Sequence, residues 1–118
     1  MHVIRNIKPS ECANPLDFQN CTRHFGERIS RLNRTGMGIG KVVSGFLVDK
    51  GHENGLEEHY ITNTGIIIIR NHSTHKAVTV LIARPAQLSR YYDAMGTVVP
   101  RIVNQTAKYN CEVCHYNY

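Results

Sequence analysis

Reactive polar side chains are concentrated in residues 55–92 of this 118-residue chain. The same stretch holds the two most apolar runs, residues 66–69 and 78–82, which a domain of this size needs as the core of a sheet. The polar side chains must therefore lie on other strand faces, in connecting loops or just past the strand ends. These side chains belong to His59, His72, His75, Lys76, Thr79, Arg84, Arg90 and Tyr91.

These residue types suit the cleavage of RNA without a metal ion. That reaction needs a base near neutral pH for the 2′-hydroxyl proton, an acid for the leaving 5′-oxygen, and groups that hold the charged phosphate. Histidine can transfer both protons, whereas Lys, Arg, Thr and Tyr can contact phosphate. We predict catalytic roles for His24, His59, Lys76, Thr79 and Tyr91, and substrate-binding roles for Arg28, Arg84, Arg90 and Glu57.

Acidic residues precede His59 and complicate this prediction, because they would repel RNA locally. Strand alternation puts Glu57 and His59 on one side of a strand and Glu58 on the other. A carboxylate beside an imidazole can act as a general base or hold the imidazole proton in place. The sequence therefore predicts a Glu57–His59 couple.

The hydrophobic pattern predicts an α+β domain spanning residues 1–118. Asn14 and Pro15 are typical of a helix start, and an apolar stripe at spacings of three and four predicts a helix over 14–33. Four strands over 41–83, joined by short turns, predict an antiparallel meander, and Pro85 predicts a second helix over 85–95. Residues 3–7 and 97–103 could form short edge strands, and the tail to residue 118 carries a Cys pair.

An N-terminal helix with H-x-x-x-R (His24 to Arg28), followed by such a sheet, resembles the barnase–EndoU–colicin–RelE superfamily of metal-independent ribonucleases. The segments GIIII, THKAVTVLIARP and QLSRYY carry the rest of the resemblance, which covers residues 17–95. It implies a small toxin-like or phage-encoded endoribonuclease. It also implies His24 or His59 as base and acid, with phosphate and base contacts from Lys76, Thr79 and Tyr91.

Charge favours an anionic partner but does not require catalysis. The net charge is +5, and residues 60–118 carry six Lys or Arg against two Asp or Glu. RNA, DNA or a nucleotide would fit this excess. A non-catalytic, phage-type inhibitor that binds nucleic acid, a nucleotide or a host nucleic-acid-binding complex is the alternative, and a cognate inhibitor is a further possible partner. The chain has no apolar run of transmembrane length and no apolar leader, so we expect a cytoplasmic protein without membrane contact.

The four cysteines suggest a third function, a zinc-stapled interaction module, with no other cofactor expected. Cys111 and Cys114 have C-x-x-C spacing, which lets two thiolates hold one zinc ion. Cys12 and Cys21, or His115 and His2, could complete a tetrahedral site. The run C-x-x-C-H also matches a haem attachment signature, but haem needs an export context and a surrounding apolar pocket, and we do not expect haem here.

Overall fold

The computed structural model describes residues 2–8, 20–36, 38–51 and 55–114, without the side chains of Cys111, Val113 and Cys114. The described part is an α+β fold, which confirms the predicted class. Its elements are β1 (His2–Ile7), α1 (Arg23–Arg34), β2 (Val42–Asp49), β3 (Leu56–Thr62), β4 (Ile66–Asn71), β5 (Ala77–Ile82), α2 (Pro85–Ala94) and α3 (Arg101–Cys114). The strands form one antiparallel sheet in the order β1-β2-β3-β4-β5.

The sheet has five strands in the described part of the chain, where the sequence predicted four. The extra strand is β1, which pairs with β2 at the sheet edge and precedes α1. A register shift between Val3 and Arg5 inserts one residue into β1. Because such a bulge reverses the side-chain alternation, Val3 packs into one core and Ile7 into the other. The short edge strand that the sequence allowed over residues 3–7 is therefore present.

The first helix starts later than predicted. Cys21 forms a parallel β-bridge with Ala77, and the Thr22 N–H donates to the Ala77 carbonyl at 2.8 Å. Thr22 is the N-cap, where its hydroxyl accepts from the Phe25 N–H at 3.1 Å. Pairing with β5 thus holds this segment extended until residue 23. Phe25, Ile29 and Leu32 are buried as predicted, while residues 14–19 of the predicted helix lie outside the described ranges.

The tail forms a helix where an edge strand over 97–103 was possible. Pro100 precedes α3, and its carbonyl accepts from the Asn104 N–H at 3.0 Å. A proline suits a helix start because the first turn needs no N–H partner there. Helix α3 packs on the β3–β4 turn, where the Asn110 side chain donates to the Thr64 carbonyl at 2.5 Å. Gly65, at φ +77°, leaves room for this approach.

Helices cover both faces of the sheet. On the α1 face, Leu47, Tyr60, Ile68 and Val80 pack against α1. The opposite face, here called the α2/α3 face, carries Phe46, Val48, Ile61, Ile67 and Ile69, which pack against Leu88, Tyr91 and Tyr92 of α2 and Val103 and Ala107 of α3. The face of the sheet on which a strand side chain lies therefore decides which helices it can contact.

Candidate functional site

Strand β3 holds two adjacent carboxylates that point to opposite faces of the sheet. Successive side chains of a strand alternate, so Glu57 and His59 lie on the α2/α3 face, whereas Glu58 and Tyr60 lie on the α1 face. Each carboxylate is the centre of a separate polar network. The two networks begin at neighbouring residues of β3 and lie on opposite faces of the sheet.

The network on the α2/α3 face runs from the surface into the core. Lys50 Nζ lies 3.8 Å from Glu57 Oε1, which lies 3.0 Å from His59 Nε2. The other ring nitrogen, His59 Nδ1, lies 2.7 Å from the Tyr91 hydroxyl. His59 and Tyr91 are each 4% exposed, while the Glu57 side chain is 13% exposed. The predicted Glu57–His59 contact is thus present, with Tyr91 behind it.

Burial controls the acid–base state of Tyr91. Burial of the ring, with a smaller effect from the Glu57 carboxylate, raises the pKa of Tyr91 to about 12, although Arg90 opposes the shift. The hydroxyl is therefore neutral throughout the physiological range. In that state it can donate a hydrogen bond to the imidazole or accept one from it.

The raised pKa predicts a loss of stability in alkali. The folded state keeps its proton above pH 10, where an unfolded tyrosine ionises, so stability falls as pH rises from about 10 to about 12. Tyr91→Phe should flatten this decline, by at most about 3 kcal/mol. Urea unfolding at a series of alkaline pH values measures the effect. An equally steep decline in Tyr91→Phe would contradict it.

The network on the α1 face is an ion pair buried in the core. Glu58 is 2% exposed, and its Oε1 accepts from Tyr60 Oη at 2.8 Å and from Arg70 Nη2 at 2.6 Å. Its Oε2 lies 2.7 Å from His72 Nδ1. Burial alone would raise the pKa of Glu58, but the hydrogen bonds from His72, Tyr60 and Arg70 and the Arg70 charge together lower it.

Sequence reasoning missed the role of Arg70, although the signal was available. The turn at residues 63–65 sets the β3–β4 register, which puts Glu58 directly opposite Arg70. Opposite charges facing each other across two strands are favourable. We read this network as a stabilising element of the fold, because Tyr60, Glu58 and Arg70 are all buried.

The structure does not bring the two predicted proton-transfer histidines together. His24 is exposed in the first turn of α1, on the α1 face, while His59 is buried on the α2/α3 face. Both ring nitrogens of His59 already contact protein groups. An acid–base pair of His24 and His59 is therefore not assembled, because the sheet stands between them.

The other predicted residues divide between the two sides in the same way. Thr79 shares the α2/α3 face with His59, but Ile69 separates them in the sheet register. Arg84 and Arg90 are exposed on α2, where Arg84 is the N-cap. Arg28 belongs to α1 with His24, and Lys76 is exposed just before β5.

Basic side chains of α1 and of the β4–β5 loop lie on the α1 side of the sheet. His24, Arg28 and Arg31 recur at spacings of four and three, so they line one flank of α1, and Arg34 extends the exposed side. The β4–β5 loop lies beside the start of this helix, because the Asn20 side chain donates to the carbonyls of Thr74 and His75. We call His24, Arg28, Arg31, Arg34 and Lys76 the basic surface.

The zinc hypothesis falls largely outside the described structure. Cys12 and His115 are not described, and neither are the side chains of Cys111 and Cys114. The backbone is helical through Cys114, so Cys111 and Cys114 lie three residues apart on α3. Cys21 is half-buried against the core on the α1 face. Among the described residues, no group of three or more His, Cys, Asp or Glu is placed to hold a metal ion.

Comparisons with family models, with curated proteins and with solved structures gave no match. The ribonuclease resemblance therefore stays an expectation from the sequence. None of the helices within the described ranges combines the length and apolar character that crossing a membrane requires.

Proposed function

We propose that this protein binds nucleic acid through the basic surface and does not cleave it. The observation that supports this proposal is the charge of α1, which carries four arginines and one glutamate and thus a charge of +3. The glutamate, Glu27, is paired with Arg23 at 3.3 Å. Arg31 and Arg34 are exposed on the same helix, and an anion is a natural partner for such a positive surface.

Phosphate is the group that this surface suits best. The exposed residues of α1 include no Phe, Tyr or Trp on which a base could stack. Arginine can hold two phosphate oxygens at once, and Lys76 adds a point charge at one end. A helix of 12 residues is about 18 Å long, so it can follow several phosphates of one strand. Such contacts fix position and affinity without reading sequence.

The arrangement of His59 favours binding over catalysis. A general acid or base must reach the atom whose proton it transfers, yet His59 is buried and has both nitrogens in contact with Glu57 and Tyr91. A substrate atom would have to displace Glu57 or Tyr91 to reach a ring nitrogen of His59. His59 is better explained as a structural residue whose hydrogen bond with Tyr91 connects β3 to α2.

Catalysis is the second candidate, and the partial exposure of Glu57 favours it. Glu57 would act as the base at the surface end of the Glu57–His59–Tyr91 network, with His59 orienting it. This version keeps the ribonuclease expected from the sequence but removes His24 from the site. Cleavage of RNA in EDTA by the wild type, and its loss in Glu57→Gln, would support this candidate over the first.

The experiment that tests binding compares two triple variants with equal charge changes. Arg31→Gln, Arg34→Gln and Lys76→Gln alter exposed positions of the basic surface, and Arg84→Gln, Arg90→Gln and Lys108→Gln alter exposed positions on α2 and α3. Each lost phosphate contact reduces the magnitude of the negative slope of log K against log salt by about one. We therefore expect the first variant to bind at least about tenfold more weakly than the wild type. The slope should also become smaller in magnitude by about three.

The readout is fluorescence anisotropy of a labelled duplex titrated at several salt concentrations, with circular dichroism to verify the fold of each variant. The control variant should bind nearly as well as the wild type. An equal loss in both variants would mean that overall charge, and not the basic surface, attracts nucleic acid. An unchanged affinity in the first variant would overturn the proposal.

A further inference from the structure

Helix α3 exposes apolar side chains beside its buried side. Val103, Ala107 and Asn110 face the core at spacings of four and three. Ile102 is 65% exposed and Tyr109 63% exposed, and Val98, just before the helix, is 86% exposed. Single exposed apolar residues are ordinary on protein surfaces, but these recur along one flank of one helix.

The spacing makes this flank a continuous strip. Ile102 and Tyr109 are seven residues apart, which places them two turns apart on nearly the same side of α3. Thr106 lies between them, four residues after Ile102, and its hydroxyl donates to the Ile102 carbonyl at 2.8 Å. This hydrogen bond satisfies the Thr106 hydroxyl donor within the helix, so that donor needs no water in the middle of the strip.

Charges of opposite sign lie at the two ends of the strip, and the exposed Lys108 lies one turn before the acidic end. Arg101 is exposed at the N-terminal end, and Glu112 is exposed near the C-terminal end. A second α3 in the antiparallel direction would put its Glu112 beside Arg101, and its Arg101 beside Glu112. The parallel direction would bring like charges together. Residue patterns that complement themselves in this way are typical of two-fold interfaces.

We propose that α3 pairs with α3 of a second copy of this chain in an antiparallel arrangement. Ile102 of each copy packs on Tyr109 of the other, Gln105 and Thr106 lie near the two-fold axis, and two Arg101–Glu112 pairs close the ends. Each copy contributes two large exposed apolar side chains, Ile102 and Tyr109, whereas a standard interface involves roughly 20–30 residues a side. The dissociation constant of the dimer is therefore expected to be in the micromolar range.

This pairing is compatible with the proposed binding function but does not depend on it. Helix α3 packs on the α2/α3 face, and the basic surface belongs to the α1 face. A dimer through α3 leaves both basic surfaces accessible. Two linked binding surfaces would raise the affinity for a long polyanion above that of one copy.

Sedimentation equilibrium over a range of micromolar concentrations tests the dimer. We expect the wild type to dimerise and Ile102→Gln with Tyr109→Gln to remain monomeric. The control is Val43→Thr with Leu56→Gln, two exposed apolar residues in the sheet, and it should dimerise like the wild type. A monomeric wild type, or a dimer as tight in the α3 variant, would overturn the proposal.

Charge reversal tests the antiparallel direction. Arg101→Glu and Glu112→Arg should each raise the dissociation constant by about tenfold, because both pairs of the symmetric dimer become repulsive. Combining the two substitutions restores opposite charges across the interface and should return the constant to within about threefold of the wild-type value. If the combined variant dimerises as weakly as the single ones, the antiparallel pairing is wrong.

Discussion

Replacing Arg70 with methionine is expected to lower the free energy of unfolding by about 3–5 kcal/mol. The substitution leaves the Glu58 carboxylate in the core without its cation, and Glu58 is 2% exposed. Tyr60 and His72 would still contact the carboxylate, but neither carries the fixed positive charge of a guanidinium. Urea unfolding at neutral pH measures the loss.

The same network predicts how stability changes in acid. Because the pKa of Glu58 is lowered on folding, its contribution is present above the pKa of the unfolded carboxyl and is lost as pH falls through the lower, folded value. In Arg70→Met the carboxyl loses a partner that lowers its pKa, so stability should depend less on pH in that window.

Two variants serve as controls for Arg70. Arg90→Met changes an exposed arginine and should cost less than about 0.5 kcal/mol. Glu58→Gln combined with Arg70→Met removes both charges while an amide oxygen can still accept from Tyr60, so it should recover most of the loss. If Arg70→Met unfolds within about 1 kcal/mol of the wild type, the buried pair does not stabilise the fold as described.

The substitution His59→Ala is expected to destabilise the protein by about 2–4 kcal/mol. It removes a buried ring from between Phe46 and Ile69, its neighbours in the sheet register. It also removes the hydrogen-bond partner of the Tyr91 hydroxyl, which lies in the core. A lost activity in this variant would therefore not identify His59 as catalytic.

The control for His59 is His24→Ala, which changes an exposed histidine and should alter stability by less than about 0.5 kcal/mol. Glu57→Gln keeps the shape of the side chain, so it tests catalysis with less damage to the fold. Thermal and urea unfolding of the three variants separates these effects. If His59→Ala is as stable as the wild type, the Glu57–His59–Tyr91 network does not tie β3 to α2.

Strands β2, β4 and β5 were predictable because each has a clear apolar run, and β3 was predictable because short turns lie on both sides of it. Strand β3 lies within the meander predicted over 41–83, and its alternation correctly paired Glu57 with His59. The helix start was not predictable from local signals. Asn14 and Pro15 suggest a helix start, but the pairing of Cys21 with Ala77 is a contact between residues far apart in sequence.

The separation of His24 from His59 was also beyond the sequence. Hydrophobic periodicity shows that α1 buries one side, but it does not show which face of the sheet α1 covers. Helix α3 was also not predictable, because Pro100 is as compatible with an edge strand as with a helix start. Residue types indicated an anionic ligand, whereas only the packing of α1 on one face separated the basic surface from the buried network.

The central claim is that the protein binds nucleic acid and leaves it intact. The most direct measurement incubates the wild type with a labelled RNA in EDTA, follows anisotropy as salt is added, and then examines the same RNA on a denaturing gel. We expect binding that weakens linearly in log salt, with a slope of about −3, and full-length RNA at the end. Cleaved RNA, or no binding at low salt, would contradict the claim.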